Sequence, residues 1–146
     1  MGISGLTNAG ALPSLELTMR FAAQKQRLVA HNIANFDTPG FHHKQLSTSL
    51  FQESLRESIR ARRSETGSRG GALDLPSNRE VRVGRRGQLI VDPQTSVGGV
   101  MTHDRNDRNL ERTLQSLAET AAAFRTASAL YTSQRSMLRE AIGERV

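Results

Sequence analysis

Cysteine is absent from this 146-residue chain, which excludes disulfides and thiolate metal sites. Tryptophan is absent too, tyrosine occurs once, and aromatics make up 4% of the sequence. A chain of this length can bury a core, but with few of the large anchors that usually fill one. Part of its apolar surface is therefore expected to serve partners. No stretch approaches the roughly 20 consecutive apolar residues of a membrane span. The start, MGISGLTNAGALPSLEL, has neither a basic n-region nor a continuous apolar segment, which argues against a secretory signal. Leu6 stands where N-myristoylation needs Ser or Thr. If the chain leaves the cytoplasm, it needs a route that cleaves no signal.

Lysine is also scarce: 18 of the 20 basic residues are arginine, in a chain of net charge +6. Nine arginines fall between Arg56 and Arg86, against Glu57, Glu65, Asp74 and Glu80, so the basicity belongs to the middle. Such a stretch either meets an anionic partner or is simply solvated, and solvation is the commoner case. Nucleic-acid binding is the functional form of the first option. The Arg56–Arg86 block contains no Phe, Tyr or Trp on which bases would stack, and no DNA-reading motif is present. Net charge alone favours that reading, and it predicts only weak, salt-sensitive, non-specific binding.

Three helices are predicted. The first runs from about Ser14 to Ile33, with Leu15, Met19, Ala22, Gln26, Val29 and Ile33 alternating at spacings of four and three. Ser14, after Pro13, reads as its N-cap. A shorter helix fits Leu50 to Arg63, with Phe51, Leu55 and Ile59 on one face and Ser49 and Gln52 as a capping box. Arg60, Arg62 and Arg63 then fall in its last turn, where the helix dipole favours cations. The third helix carries the strongest pattern. Leu110, Leu114, Leu117, Ala121, Phe124, Ser128, Tyr131, Arg135, Leu138 and Ile142 keep the same alternating spacing, with Asn109 as N-cap and Gly143 as stop. A helix this long outruns the first and leaves a flank at Leu130 and Met137. Either the second helix covers that flank in a compact three-helix bundle, or neighbouring copies of the chain do. The short second helix and its Gly-rich connection favour neighbours.

Between the helices, residues 64–107 hold most of the glycines. EVRVGRRGQLIV reads as a hairpin in which Val81 and Val83 alternate with Arg82, and Gly84–Gly87 turns the chain into Leu89–Val91. The flanks SETGSRGGALDLPSN and DPQTSVGGVMTHDRND read as loops, expected to be disordered on their own.

Catalytic and metal patterns are missing. His31, His42, His43 and His103 lack the ligand spacing of a zinc site, and no carboxylate falls within the four residues after His42 and His43, so solvent-facing histidines are the expectation. No nucleophile elbow, zincin or P-loop motif occurs. The glycines of GRRG can cradle a phosphate, but a hairpin turn needs the same glycines. Asp104 and Asp107 at the start of the third helix are explained by its dipole. No enzyme and no cofactor is expected.

Residues 29–43, VAHNIANFDTPGFHH, are the most specific feature of the sequence. Asn32 and Asn35 can hydrogen-bond backbone where the helix ends. Pro39 followed by Gly40 suits a type II turn, and Phe41 is then aimed back at the helices. The segment Asn32, Ile33, Ala34, Asn35, Thr38, Pro39, Gly40 and Phe41 reads as a rigid joint. It closely resembles the N-I-A-N-x-x-T-P-G-[YF] signature of the flagellar axial proteins, the rod, hook and hook-associated subunits. DRNDRNLERTL is similar to that family's D-G-N-x-V-D-[LM]-E-[RK] lead-in to the last helix: Asp104, Asn106, Leu110, Glu111 and Arg112 match, whereas Arg105, Arg108 and Asn109 depart from it. The T-P-G turn and the closing SMLREAI resemble the proximal rod subunits in particular.

The resemblance covers residues 15–46 and 104–142. It implies a non-enzymatic axial subunit exported through the flagellar type III apparatus and polymerising in the periplasm. Its partners would be copies of itself, other rod subunits and the protein joining the rod to the inner-membrane ring. Neither specific nucleic acid nor membrane insertion is expected. The fold expected is mainly α, with long terminal helices packed as a coiled-coil-like pair and a short helix and partly disordered hairpin inserted. Residues 1–44 hold the first helix and joint, 45–107 the middle, and 108–146 the last helix. The assembly seam expected is Leu15, Met19, Ala22, Val29, Leu110, Leu114, Leu117, Ala121, Phe124, Tyr131, Leu138 and Ile142.

Overall fold

The computed structural model describes residues 10–66, 73–85, 87–95 and 105–143, with 66 and 105–109 described by their backbone alone. Its elements run α1 (Leu12–Ala34), β1 (Lys44–Gln45), α2 (Thr48–Thr66), β2 (Val81–Val83), β3 (Leu89–Val91), β4 (Gln94–Thr95) and α3 (Arg105–Gly143). The chain is mainly helical, and the long C-terminal helix packs on the N-terminal one.

Helix α1 begins before its expected cap. Pro13 lies in the first turn, where a missing N–H costs nothing and a preset φ helps, so the helix starts at Leu12. Ser14 is therefore inside the helix rather than capping it, and its hydroxyl donates back to the Ala11 carbonyl at 2.8 Å.

Helix α2 is longer at both ends than its apolar spacing suggests, and the expected Ser49–Gln52 box is not what caps it. Ser47 takes that role: its hydroxyl accepts the Leu50 N–H at 3.2 Å and its carbonyl the Phe51 N–H at 3.3 Å. The Ser47 N–H donates to Glu80 Oε2 at 2.6 Å, which sets a buried carboxylate against the positive end of the helix. Glu80 is 33 residues away in sequence, so local pattern could not reveal it. Replacing Glu80 by alanine leaves the Ser47 N–H without this acceptor and is expected to cost about 1–3 kcal/mol. Urea unfolding measures it; a loss below about 0.5 kcal/mol, the usual range for surface changes, would remove this carboxylate from the account of α2.

Because α2 continues to Thr66, Arg60 and Arg62 sit inside it and only Arg63 remains in its last turn. Arg62 is turned inward and donates to the Gly10 carbonyl at 3.0 Å, so it anchors the lead-in to α1 rather than answering a dipole.

The core gathers one face of α1 (Leu17, Phe21), Leu46, Phe51 of α2, Leu75, and Val81 and Leu89 of the hairpin. Phe21 and Phe51 stack with centroids 4.1 Å apart and planes within 2°. Strands β2 and β3 pair antiparallel, Val81 with Val91, Arg82 with Ile90 and Val83 with Leu89, so the valines face the core and Arg82 faces solvent. The Gly84 N–H donates to the Gln88 carbonyl and the Gly87 N–H to the Gly84 carbonyl, with Gly87 at φ +73°. Both glycine amides of the proposed phosphate cradle are thus engaged in the turn. Arg20 of α1 donates to the Gly87 carbonyl and holds the hairpin tip on the helix.

Where the structure describes the flanks, they are tied to the core. Leu75 is buried in the core, and Asn78 Oδ1 accepts the N–H groups of Glu80 and Val81 at 2.8 and 2.7 Å, an Asx turn that leads into β2. Asn78 also donates to the Ser54 hydroxyl at 2.9 Å. Strand β4, inside the second flank, pairs antiparallel with β1. The rest of both flanks, 67–72 and 96–104, lies outside the described residues, as does His103.

Helix α3 is already helical at Arg105, so Asn109 is an interior position and not its cap. It packs along α1, whereas α2 joins the hairpin on the next side of α1. The compact bundle in which α2 covers α3 is therefore not what forms.

Candidate functional site

The joint after α1 is built from short-range geometry and one long reach. The Asn35 side chain donates to the His31 carbonyl at 2.9 Å, and its own N–H bonds the same oxygen at 3.1 Å, closing the last turn of α1. Tighter bonds follow, Phe36 N–H to Ile33 and Thr38 N–H to Asn35, and Pro39 then bars further helix. The Phe41 N–H returns to the Thr38 carbonyl at 3.1 Å with Gly40 at φ +74°, the type II turn expected of Pro-Gly.

Asn32 behaves differently from expectation. It does not bond its own helix end; it is buried and reaches across the joint to Lys44, donating to its carbonyl at 2.7 Å and accepting its N–H at 3.2 Å. The amide thereby mimics a strand neighbour for the start of β1. This two-point clamp sets the direction in which the chain leaves α1.

Phe41 meets His31 of α1 edge-on at 5.6 Å, and His43 lies edge-on to both Phe41 (5.5 Å) and Phe36 (5.9 Å). His31 and His42 are exposed, as expected, but His43 is half-buried in this aromatic cluster. No group of three or more His, Cys, Asp or Glu placed to hold a metal ion occurs among the described residues. At Gly40 a Cβ would meet nothing within 4 Å, so Gly40→Ala tests the backbone alone. It is expected to cost about 1–2 kcal/mol through the left-handed φ, read as a lower urea midpoint. An unchanged midpoint would mean the turn is not held as drawn.

Below the joint, Lys25 ties the layers together. Its Nζ donates to the Thr48 hydroxyl at 2.6 Å. Burial lowers its pKa, and the carboxylates of Glu119 on α3 and Glu80 before β2 pull it back up. This places Glu119 of α3 at the level of Lys25 on α1.

The seam divides. On α1, Ala22 and Val29 are buried and Leu15, Met19 and Ile33 half-buried. On α3, Leu110, Leu117, Ala121, Tyr131 and Leu138 are half-buried, but Leu114, Phe124 and Ile142 are exposed. Among the described side chains of α3 the most buried are Thr120 and Ala127, which the expected row omits. Two physical causes combine. Small side chains let the two backbones approach, and a 3.5-residue row drifts by about 20° per heptad around a 3.6-residue helix. Apolar residues therefore remain on both shoulders of the contact, Leu114, Phe124 and Ile142 on one and Leu130 and Met137, 51% and 57% exposed, on the other. Every exposed large apolar side chain among the described residues lies on α3. No described helix is long and apolar enough to cross a membrane.

No family model matches the chain, and no curated protein matches it either.

Proposed function

We propose that the chain is a structural subunit of the bacterial flagellar basal-body rod, of the proximal type represented by FlgB. In this reading α1 and α3 form the inner layer of a helical stack, complete a coiled-coil-like packing with neighbouring subunits, and carry the hairpin unit on its outside. The subunit travels through the type III export apparatus and contributes to motility without catalysis. Its neighbours are copies of itself, other rod subunits and the protein that joins the rod to the inner-membrane ring.

The observation that carries the reading is the pair of apolar shoulders on α3, a helix of about 58 Å beside an α1 of about 34 Å. An isolated domain has no use for Leu130 and Met137 in water; a heterologous stack, in which each subunit presents two different surfaces, does. The N-I-A-N and T-P-G-F residues add to it, because their hydrogen bonds make a stiff exit from α1 of the kind a repeating assembly requires.

The direct test is to purify basal bodies from a motile strain encoding the chain and probe them with an antibody against it. The subunit should co-purify and survive removal of the filament. Its exclusion from basal bodies, or tight binding to one DNA sequence at physiological salt in gel-shift titrations, would overturn the proposal.

A further inference from the structure

We propose that the Phe124 shoulder of α3 is a docking face for an acidic amphipathic helix of a different protein, and not for a second copy of this chain. The proposal deepens the assembly reading, and rests on it for the premise that α3 is an interface.

At about 100° per residue, Leu114, Phe124 and Ile142 share a side of α3 with Arg125, Arg135 and Arg139. Arg135 and Arg139 are one turn apart and border a furrow of about 290 Å³ completed by Tyr131, Thr132 and Ser136. None of these three arginines forms an ion pair among the described residues. The nearest carboxylate along the helix, Glu140, accepts the Ser136 hydroxyl at 3.3 Å instead. The face thus offers apolar contact beside guanidinium groups that have no carboxylate partner among the described residues. Guanidinium pairs best with carboxylates, which it can hold through two parallel hydrogen bonds, and the apolar margin keeps water from such a pair.

A second copy apposed through the same shoulder would bring Arg125, Arg135 and Arg139 of both chains together, like charge against like. The other apolar shoulder, Leu130 and Met137, has Glu119 on its side, but that carboxylate already accepts the Gln115 amide at 2.8 Å and faces Lys25. On α2, exposed Glu53 and Glu57 alternate with Arg56 and Arg60, with no large exposed apolar side chain beside them. Neither of these two faces of the chain sets carboxylates beside exposed apolar side chains, which points to another protein as the occupant.

Two synthetic helical peptides with the same leucine stripe test this, one flanked by glutamates and the other by lysines. Binding to the full chain is followed by fluorescence anisotropy at low and physiological salt. The glutamate peptide should bind at least about tenfold more tightly than the lysine peptide, and weaken as salt screens it. Arg135→Glu with Arg139→Glu, both exposed and outside the core, should reverse the preference; Arg135→Gln with Arg139→Gln, the gentler pair, should abolish it. Equal binding of the two peptides, no binding of either, or a preference unchanged in both variants overturns the proposal. So does self-association of the chain in sedimentation that either variant removes. Equal binding would remove the charge argument while leaving incorporation into basal bodies to judge the rod assignment separately.

Discussion

Replacing Leu130 and Met137 together by aspartate is expected to leave the isolated subunit folded and to eliminate it from the basal body. Both side chains are more than half exposed, so in the free chain the new carboxylates stay in water. Surface changes of that kind alter stability by roughly 0.5 kcal/mol or less. In a packed stack the same carboxylates would be buried without partners, at several kcal/mol each by estimate, more than a single lateral contact supplies. The contrast is Leu117→Asp, which enters the half-buried contact between α1 and α3 and should damage folding and assembly together. A third variant, Arg82→Gln with Arg85→Gln, alters only exposed side chains of the hairpin and should assemble normally. Circular dichroism melts report folding; soft-agar swimming and an immunoblot of purified basal bodies report assembly. Normal incorporation of the double aspartate variant would sink the assignment of these shoulders.

Phe51→Ala should produce the largest loss of stability. The ring is 2% exposed, stacked on Phe21, and surrounded by Leu46, Leu75, Val81 and Leu89. Truncating a buried phenylalanine costs about 3–5 kcal/mol through lost transfer energy and the cavity left behind. A domain with a total stability of about 5–15 kcal/mol cannot absorb that without a large shift in its unfolding midpoint. The loss should also be unevenly distributed. Phe51 belongs to the cluster of α1, α2 and the hairpin, whereas α3 packs along another side of α1. Amide exchange should therefore rise most across Thr48–Thr66 and Val81–Val91, and less along α3. A loss under about 1 kcal/mol would show that this cluster is not what holds the hairpin to the helices.

The elements that were legible in the sequence are those governed by neighbours close in the chain. The three helices follow from apolar spacing, and their boundaries moved by a few residues because caps depend on context. The hairpin and its glycine turn, and the type II turn at Pro39–Gly40, follow from residues whose φ is preset or unrestricted. The Asn35 bond to the His31 carbonyl is of the same local kind. At Asn32, Glu80 and Arg62 the residue type promised a hydrogen bond, but its partner lies 12, 33 and 52 residues away. The pairing of β1 with β4 was missed for a related reason: two-residue strands carry no alternation to read.

The sequence by itself therefore determined which segments are helical, where the chain must turn, and that α3 has more apolar surface than α1 can cover. Each of these rests on backbone preference or side-chain periodicity, which act within a few residues. Only the tertiary structure decided which part of that apolar arc is covered. Thr120 and Ala127 face α1 because small side chains permit close approach, so Phe124, Leu130 and Met137 are left on the shoulders. It likewise decided that Asn32 directs the exit from α1 and that Glu80 holds the Ser47 cap of α2, since both depend on where distant backbone comes to lie.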